Sequence, residues 1–254
     1  MNIYRTAGIV GVALTAGAHA QEKPKIDATV NVDLSSKYVW RGVNFVNDWV
    51  LQPSVSLKSS GIELNLWGNM ELTGWNSGNY PKNPKNRFTE FDTTLSYKGA
   101  YGGGNWWVGY IDYQFPGTGA KRFQEWNLGV SSSKYWGTPT LNIYKGASAG
   151  LGTYVTLGVN HEVNSTGLGK ATTWNLGAQI GYGDKKSNNF FYGSNKAGFA
   201  DLKLSAATSF GLGKDWTFSP SVNYSTLLEK SLNAGLPRRS NLWLNFGFSR
   251  KFAF

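Results

Sequence analysis

Apolar residues return at every second position along most of this chain. Trp174, Leu176, Ala178, Ile180 and Tyr182 alternate with Thr173, Asn175, Gly177 and Gln179. Trp216, Phe218, Val222 and Tyr224 alternate with Thr217, Ser219, Ser221 and Asn223. Leu242, Leu244, Phe246 and Phe248, then Phe252 and Phe254, alternate with Trp243, Asn245, Gly247, Ser249 and Lys251. A period of two gives a β-strand one apolar and one mostly polar face. Twelve such segments are predicted, at 28–42, 49–58, 61–72, 88–98, 105–115, 122–132, 139–147, 152–163, 170–182, 199–211, 215–226 and 240–254. The alternation is weakest in 105–115, where Trp106, Val108 and Tyr110 compete with Trp107, Ile111 and Tyr113. Asp112 and Gln114 assign the even positions there to the polar side.

Short and long connections take turns. Lys58–Gly61, Ala100–Gly104, Ser133–Thr138 and Gly211–Lys214 read as tight turns rich in Gly or Ser, whereas Thr73–Arg87, Gly183–Gly198 and Leu227–Arg239 are long and polar. This rhythm predicts an all-β fold, a closed antiparallel transmembrane β-barrel of about 12 strands. Hydrocarbon offers backbone groups no partner, so a sheet that spans it must close on itself. Short turns then lie in the periplasm and long loops outside, and an even strand count puts both termini with the short turns. Tyr38, Trp40 and Trp49 are expected in an outer aromatic girdle, and Tyr97, Trp216 and Phe254 in an inner one. A terminal Phe254 on an alternating strand is also the mark of bacterial outer-membrane barrels.

Three residues strain that prediction. Pro53 and Pro220 each remove a ladder donor inside a predicted strand, and Arg250 has lipid-facing parity, so it must snorkel to an interface. Ten or fourteen strands stay open, because 105–115 and 139–163 divide in more than one way. A secreted β-sandwich or lipocalin-like barrel would alternate as well, without needing aromatic strand ends or the terminal Phe.

Composition agrees with the barrel. The chain holds 32 Gly, 11 Trp, 13 Tyr and 14 Phe, yet its mean hydropathy is only −0.33. After the first residues no run approaches the roughly 18 apolar residues of a spanning helix, but a barrel strand needs only about 9–11 alternating ones. Residues 1–20 read as a secretory signal, with Arg5 as the positive start, Ala7 to Gly17 as the apolar centre and Ala18-His19-Ala20 as the cleavage site. Cleavage before Gln21 leaves 21–254 as the barrel. The absence of Cys excludes disulfides, lipid attachment through Cys and metal–thiolate sites. The formal charge of +10 falls to +9 without Arg5. No nucleic-acid recognition motif accompanies it, so nucleic acid is not an expected partner.

Ser36-Lys37-Tyr38-Val39-Trp40-Arg41-Gly42, followed by Val43, resembles the first-strand motif S-x-Y-x-x-R-G of the TorF-like outer-membrane porins. In that family a short loop and a second strand follow, and Trp49 to Ser54 stands in that place here. The resemblance implies a barrel of about this size in the outer membrane that forms a pore.

Parity places Lys37 and Arg41 on the lumen side of the first strand. It places Glu71, Glu90, Asp92, Asp112 and Glu125 on the lumen side of strands three to six. Basic groups would oppose acidic ones across the barrel and form a constriction that orients and selects solutes. The alternative is that these charges pair and fill the lumen, which is normal in small barrels. Trp67, Tyr144 and Trp243 are expected inside, either filling space or stacking sugar rings.

Basic loop residues are Lys82, Lys85, Arg87, Lys185, Lys186, Lys196, Arg238 and Arg239, offset there by Asp184 and Glu229. They either draw anions to the mouth or contact lipopolysaccharide phosphates. Enzyme chemistry finds no support. His161, the one histidine after residue 20, has outward parity, and no serine sits in a G-x-S-x-G elbow. Gly102-Gly103-Gly104 and Gly150-Leu151-Gly152 lack the helix and Lys-Ser/Thr of a phosphate loop, and no D-x-D-x-D-G calcium spacing occurs. No catalytic residue, metal or cofactor is therefore expected. The sequence points to an outer-membrane channel for passive diffusion of small hydrophilic solutes. The competing possibility is a non-conducting barrel that scaffolds the envelope. Expected partners are outer-membrane lipid and lipopolysaccharide, the barrel-assembly machinery through Phe254, and small polar solutes.

Overall fold

Backbone pairing runs without a break around a ring of strands. A computed structural model describes residues 25–165, 172–233 and 238–254. The expected signal segment 1–20 and the start of the strand expected at 170 lie outside the described residues. The elements are β1 (Asp27–Ser35), β2 (Tyr38–Trp40), β3 (Val43–Val46), β4 (Val50–Ser59), β5 (Ile62–Glu71), β6 (Arg87–Tyr101), β7 (Gly104–Gln114) and β8 (Phe123–Ser132). They continue with β9 (Thr140–Gly146), β10 (Thr153–Ser165), β11 (Thr172–Gly183), α1 (Lys185–Tyr192), β12 (Gly198–Thr208), β13 (Phe210–Gly211), β14 (Trp216–Leu227), a 3-10 turn (Lys230–Asn233) and β15 (Ser240–Ala253).

Neighbours pair antiparallel in the order β1, β4 to β12, β14, β15 and back to β1. The two-residue β13 prolongs β12, so the wall has twelve strands and no free edge. Ten and fourteen strands are thereby excluded. Consecutive strands pair with each other, so each connection needs only to turn the chain back.

Side-chain parity separates the two faces. Leu66, Leu95, Leu128, Leu157, Leu204 and Leu244 all point outward and stay exposed. Aromatic residues cluster near both ends of that apolar band. Tyr97 packs on Trp106 and Trp136 on His161 at the short-turn end, while Tyr110 packs on Trp126 and Tyr182 on Phe199 toward the long loops. The prolines fall where pairing is already interrupted. Pro53 sits in a gap of the β4–β5 ladder between the Leu51–Met70 and Ser54–Trp67 pairs. Pro220 faces the break between β12 and β13, which the Ser209 and Ser219 hydroxyls bridge at 2.9 Å. Arg250 stays on the outward-facing row and lays its guanidinium 4.8 Å from the Phe252 ring and 5.8 Å from that of Trp216.

The first predicted strand is corrected. It was expected to run from 28 to 42, but the wall strand ends at Ser35. There the Ser36 amide donates to the Leu244 carbonyl and the Leu244 amide to the Ser36 hydroxyl. The chain then turns into the lumen, where β2 and β3 pair as a separate two-stranded hairpin. Tyr38 and Trp40 consequently belong to no girdle. Tyr38 packs on Trp67 of β5, and Trp40 on Tyr113 of β7 and Phe123 of β8, all from inside the ring.

At the long-loop end α1 lies over the barrel mouth. Asp184 caps it by accepting from the Ser187 amide, and its other carboxylate oxygen accepts from the Thr153 amide, both at 2.8 Å. Burial alone would push the Asp184 carboxyl up, but these hydrogen bonds outweigh it and hold it below the usual carboxylate range. The stabilisation is complete above the unfolded carboxylate value, about 3.9, and is lost as pH falls through the lower folded value. Asp184→Ala is expected to cost about 1–2 kcal/mol of local helix stability at neutral pH. Hydrogen exchange across Lys185–Tyr192 should report it, with the difference from wild type shrinking as the pH falls below the unfolded carboxylate value.

Candidate functional site

The lumen is organised around the turn of the inward hairpin. Trp40 and Val43 pair, and Arg41 and Gly42 between them have φ of 48° and 77°. Positive φ at both central residues is the type I′ turn that suits the twist of a two-residue hairpin. Gly42 is required twice over. A Cβ there would also lie 2.7 Å from Leu227 and 2.8 Å from Asp201.

The turn aims Arg41 at the inner face of β8, β9 and β10. Its two terminal nitrogens donate to the two Glu125 oxygens at 3.0 and 2.7 Å. Both side chains are almost sealed from solvent, at 4% and 2% exposure. The Tyr113 hydroxyl adds a third donor to Glu125 at 3.0 Å. Four aromatic faces surround the guanidinium, with ring centroids at 4.4 Å (Tyr154), 4.6 Å (Trp40), 4.7 Å (Phe191) and 4.9 Å (Tyr144). A planar, weakly hydrated cation suits such a cage better than an ammonium would. Burial alone would lower the Arg41 pKa, but the charge and hydrogen bonds of Glu125 outweigh it and hold the guanidinium above its ordinary value.

Further bonds fasten the hairpin on its other sides. Tyr192 of α1 donates to the Arg41 carbonyl at 2.8 Å. Asn76, in the β5–β6 loop, donates to the Phe45 carbonyl at 3.0 Å and to Glu71 at 2.9 Å. Asn44 donates to Asn241 at the start of β15 at 2.8 Å. The hairpin thus divides the lumen. On the short-turn side a cavity of about 340 Å³ is bounded by Trp67, Asp92, Tyr144, Asp201, Lys203 and Trp243 among others. On the long-loop side a cavity of about 580 Å³ is bounded largely by aromatic and aliphatic residues. Trp40 lines both.

The predicted charged residues fare differently. Lys37 follows β1 rather than lying on it, and faces a small lumenal recess with Asp33 and Gln52. Arg41 leaves the wall and meets Glu125 of β8 inside the lumen. Glu71 is fully buried against Asn76, Glu90 borders the outer cavity and Asp92 the inner one. Asp112 is a correction. In β7 the odd positions Ile111 and Tyr113 face the lumen, while Trp106 and Val108 lie exposed outside. Asp112 pairs in register with Thr93 and Gln124, both on the outward face. There it binds Arg122 at 2.6 Å and accepts from Gln114 and Gln124. The polar residues misled the parity because they cluster with one another at the barrel rim.

Asp201 and Lys203 were missed. They alternate with Leu202 and Leu204 on β12, so the parity rule already places them in the lumen. Asp201 accepts from the Tyr154 hydroxyl at 2.5 Å. Trp67, Tyr144 and Trp243 lie inside, as expected. His161 faces outward against Trp136, at 4.4 Å between ring centroids. Gly103 and Gly150 occupy turns with φ of 99° and 89°. Among the described residues no three His, Asp or Glu converge as metal ligands.

No protein-family model matches the chain. No curated protein matches it either. Among solved structures it is similar to an outer-membrane channel of Pseudomonas putida, at 11% identity and a TM-score of 0.44, covering 90% of this chain and 95% of that one. It is also similar to OmpF of Salmonella typhi in complex with daunomycin, at 6% identity and a TM-score of 0.41, covering 89% and 97%. The outer membrane protein OprD of Pseudomonas aeruginosa matches at 12% identity and a TM-score of 0.37, covering 88% of this chain and 66% of that one.

Arg41→Ala strands the Glu125 carboxylate in the lumen and is expected to cost about 3–5 kcal/mol. Replacing both residues, as Arg41→Met with Glu125→Leu, should cost much less, because no charge is left unpaired. Urea unfolding of the refolded barrels compares the two.

Proposed function

We propose that this barrel is an outer-membrane channel for small hydrophilic solutes, with the β2–β3 hairpin as its constriction. The observation that carries the reading is the chambered lumen. A ring wall that is apolar outside encloses two cavities on either side of one hairpin. The apolar outer face and its aromatic ends fit a bilayer better than water. The S-x-Y-x-x-R-G motif, which here builds the constriction, supports kinship with the TorF-like porins. Placement of the long loops outside follows, with the basic ones against lipopolysaccharide and Phe254 as the assembly signal.

Solutes pass by diffusion in this reading, without a cofactor. Lys37, Arg41, Glu71, Glu90, Asp92 and Glu125 line or hold the path, and Asp112 has no part in it. Asp92 on β6 and Lys203 on β12 are six strands apart in the twelve-stranded ring, which is directly across. A carboxylate facing an ammonium across a narrow lumen orients dipolar solutes. The scaffold reading draws on a different observation. The hairpin is tied to the wall through Glu125, to α1 through Tyr192 and to a loop through Asn76, which favours a plug that stays shut.

Planar-bilayer recording separates the two. Replacing Lys37–Asp48 by a short Gly-Ser link should raise single-channel conductance severalfold over wild type. Asp92→Asn and Lys203→Gln should move ion selectivity in opposite directions, and Arg41→Ala should increase open-state noise. A truncated barrel that inserts and conducts no better than wild type favours the scaffold.

A further inference from the structure

The outer cavity differs in character from the inner one. Its floor is the hairpin, through Tyr38, Trp40 and Phe45, and its wall is Phe115, Phe123 and Phe191. The rings pack on one another. Trp40 meets Phe191 edge-on at 5.2 Å, and Phe115 stacks on Phe123 at 5.6 Å. At about 580 Å³ it is the size of a pocket for a drug-sized molecule.

One buried carboxyl group borders it. Glu90 is 4% exposed, and its Oε1 atom is shielded and has no hydrogen-bond partner. A buried carboxylate oxygen without a donor is costly, and a ligand donor there would relieve the cost. The Tyr38 hydroxyl and the buried Asp92 carboxyl lie against Glu90, yet its Oε1 atom accepts from neither, and the basic groups around the cavity do not reach it. Arg122 is 62% exposed and bound to Asp112 on the outside of the wall, and Lys121 is exposed at the rim. Arg41 lies beneath Trp40 and is engaged by Glu125.

We propose that the outer cavity is a binding site for an amphipathic organic cation, with its aromatic part among the rings and its ammonium on Glu90. Ring faces favour a cation as well as an apolar body, so both halves of the ligand gain. The site is independent of whether the barrel conducts, because it lies wholly on the long-loop side of the hairpin.

The test is equilibrium binding of propranolol, its uncharged glycol analogue and naphthoxylactate to the purified protein in nanodiscs. The three share one naphthyl ether and differ in charge, and quenching of protein tryptophan fluorescence reports binding. Empty nanodiscs correct for partition into lipid. The cation should bind wild type about tenfold or more tighter than the glycol, and the carboxylate weakest. Glu90→Gln should abolish that preference and leave glycol affinity unchanged. Equal affinity for cation and glycol in the wild-type protein overturns the proposal without recourse to any variant. A cation preference that survives in a folded Glu90→Gln barrel overturns it too. Neither result bears on conductance, so the channel reading stands or falls on its own recording.

Discussion

A closed ring of paired strands leaves no free sheet edge along its wall, and that constraint organises everything else. In hydrocarbon an open edge would expose a row of donors and acceptors with nothing to meet them. The β1–β15 and β12–β14 ladders remove the edge. Closure also fixes parity. Once β6 pairs with β5 and β7, Asp92 must share a face with Trp67 and Tyr113, and Phe91 must share the opposite face with Gln114. Twelve strands enclose a lumen wider than the eight-stranded barrel that its own side chains fill. Something must occupy it, be it water, solute or chain. Here the β1–β4 connection does so, and the ring's interior is lined to receive it.

The interior contacts converge on Arg41 because the hairpin carries its guanidinium into the lumen against β8, β9 and β10. A guanidinium there needs a carboxylate and something to replace its hydration. Glu125 gives a two-point match, and the rings from β9, β10, α1 and the hairpin itself replace the water. A lysine would lose the planar match and the stacking, so the exchange is not conservative at this position. The type I′ turn matters for the same reason. It sets the backbone so that the Arg41 side chain points to Glu125 while its carbonyl turns to Tyr192. One residue therefore links a wall strand, the inner hairpin and the helix over the mouth.

Most of the wall was legible in the sequence because a period of two is a local signal that the ring preserves. Segments such as 61–72, 139–147 and 215–226 coincide with β5, β9 and β14 to within two residues at either end. The inward hairpin was not legible, because Tyr38-Val39-Trp40 alternates no differently from a wall strand. What breaks it is the Arg41-Gly42 turn, and a pair with positive φ looks the same in sequence whether it reverses a wall strand or an internal one. β7 failed for another reason. It carries aromatic residues on both faces, so hydrophobicity does not tell the faces apart and Asp112 points to the wrong one. The partner that explains Asp112 is Arg122, which the alternation of β7 alone does not reveal. Lys203 shows the opposite error, a residue whose parity was clear and whose importance was overlooked.

The displaced acid also helps to place the barrel. Asp112, Arg122, Gln114 and Gln124 form a polar patch on the outward face, just beyond the Tyr110 and Trp126 pair. At the other end Arg250 lies over Phe252 near Trp216, and Tyr97 meets Trp106. Between these limits β8 presents only Trp126, Leu128 and Val130 outward. From Gln124 to Ser132 the strand rises about 26 Å at roughly 3.3 Å per residue. A tilt of about 40° reduces that to roughly 20 Å across a bilayer. A soluble barrel would have no reason to confine its outward polar side chains to two rims. An apolar belt of this height instead suits a thin bilayer, the kind found in a bacterial outer membrane. The charges outside the lumen thus support the same placement as the apolar residues between them.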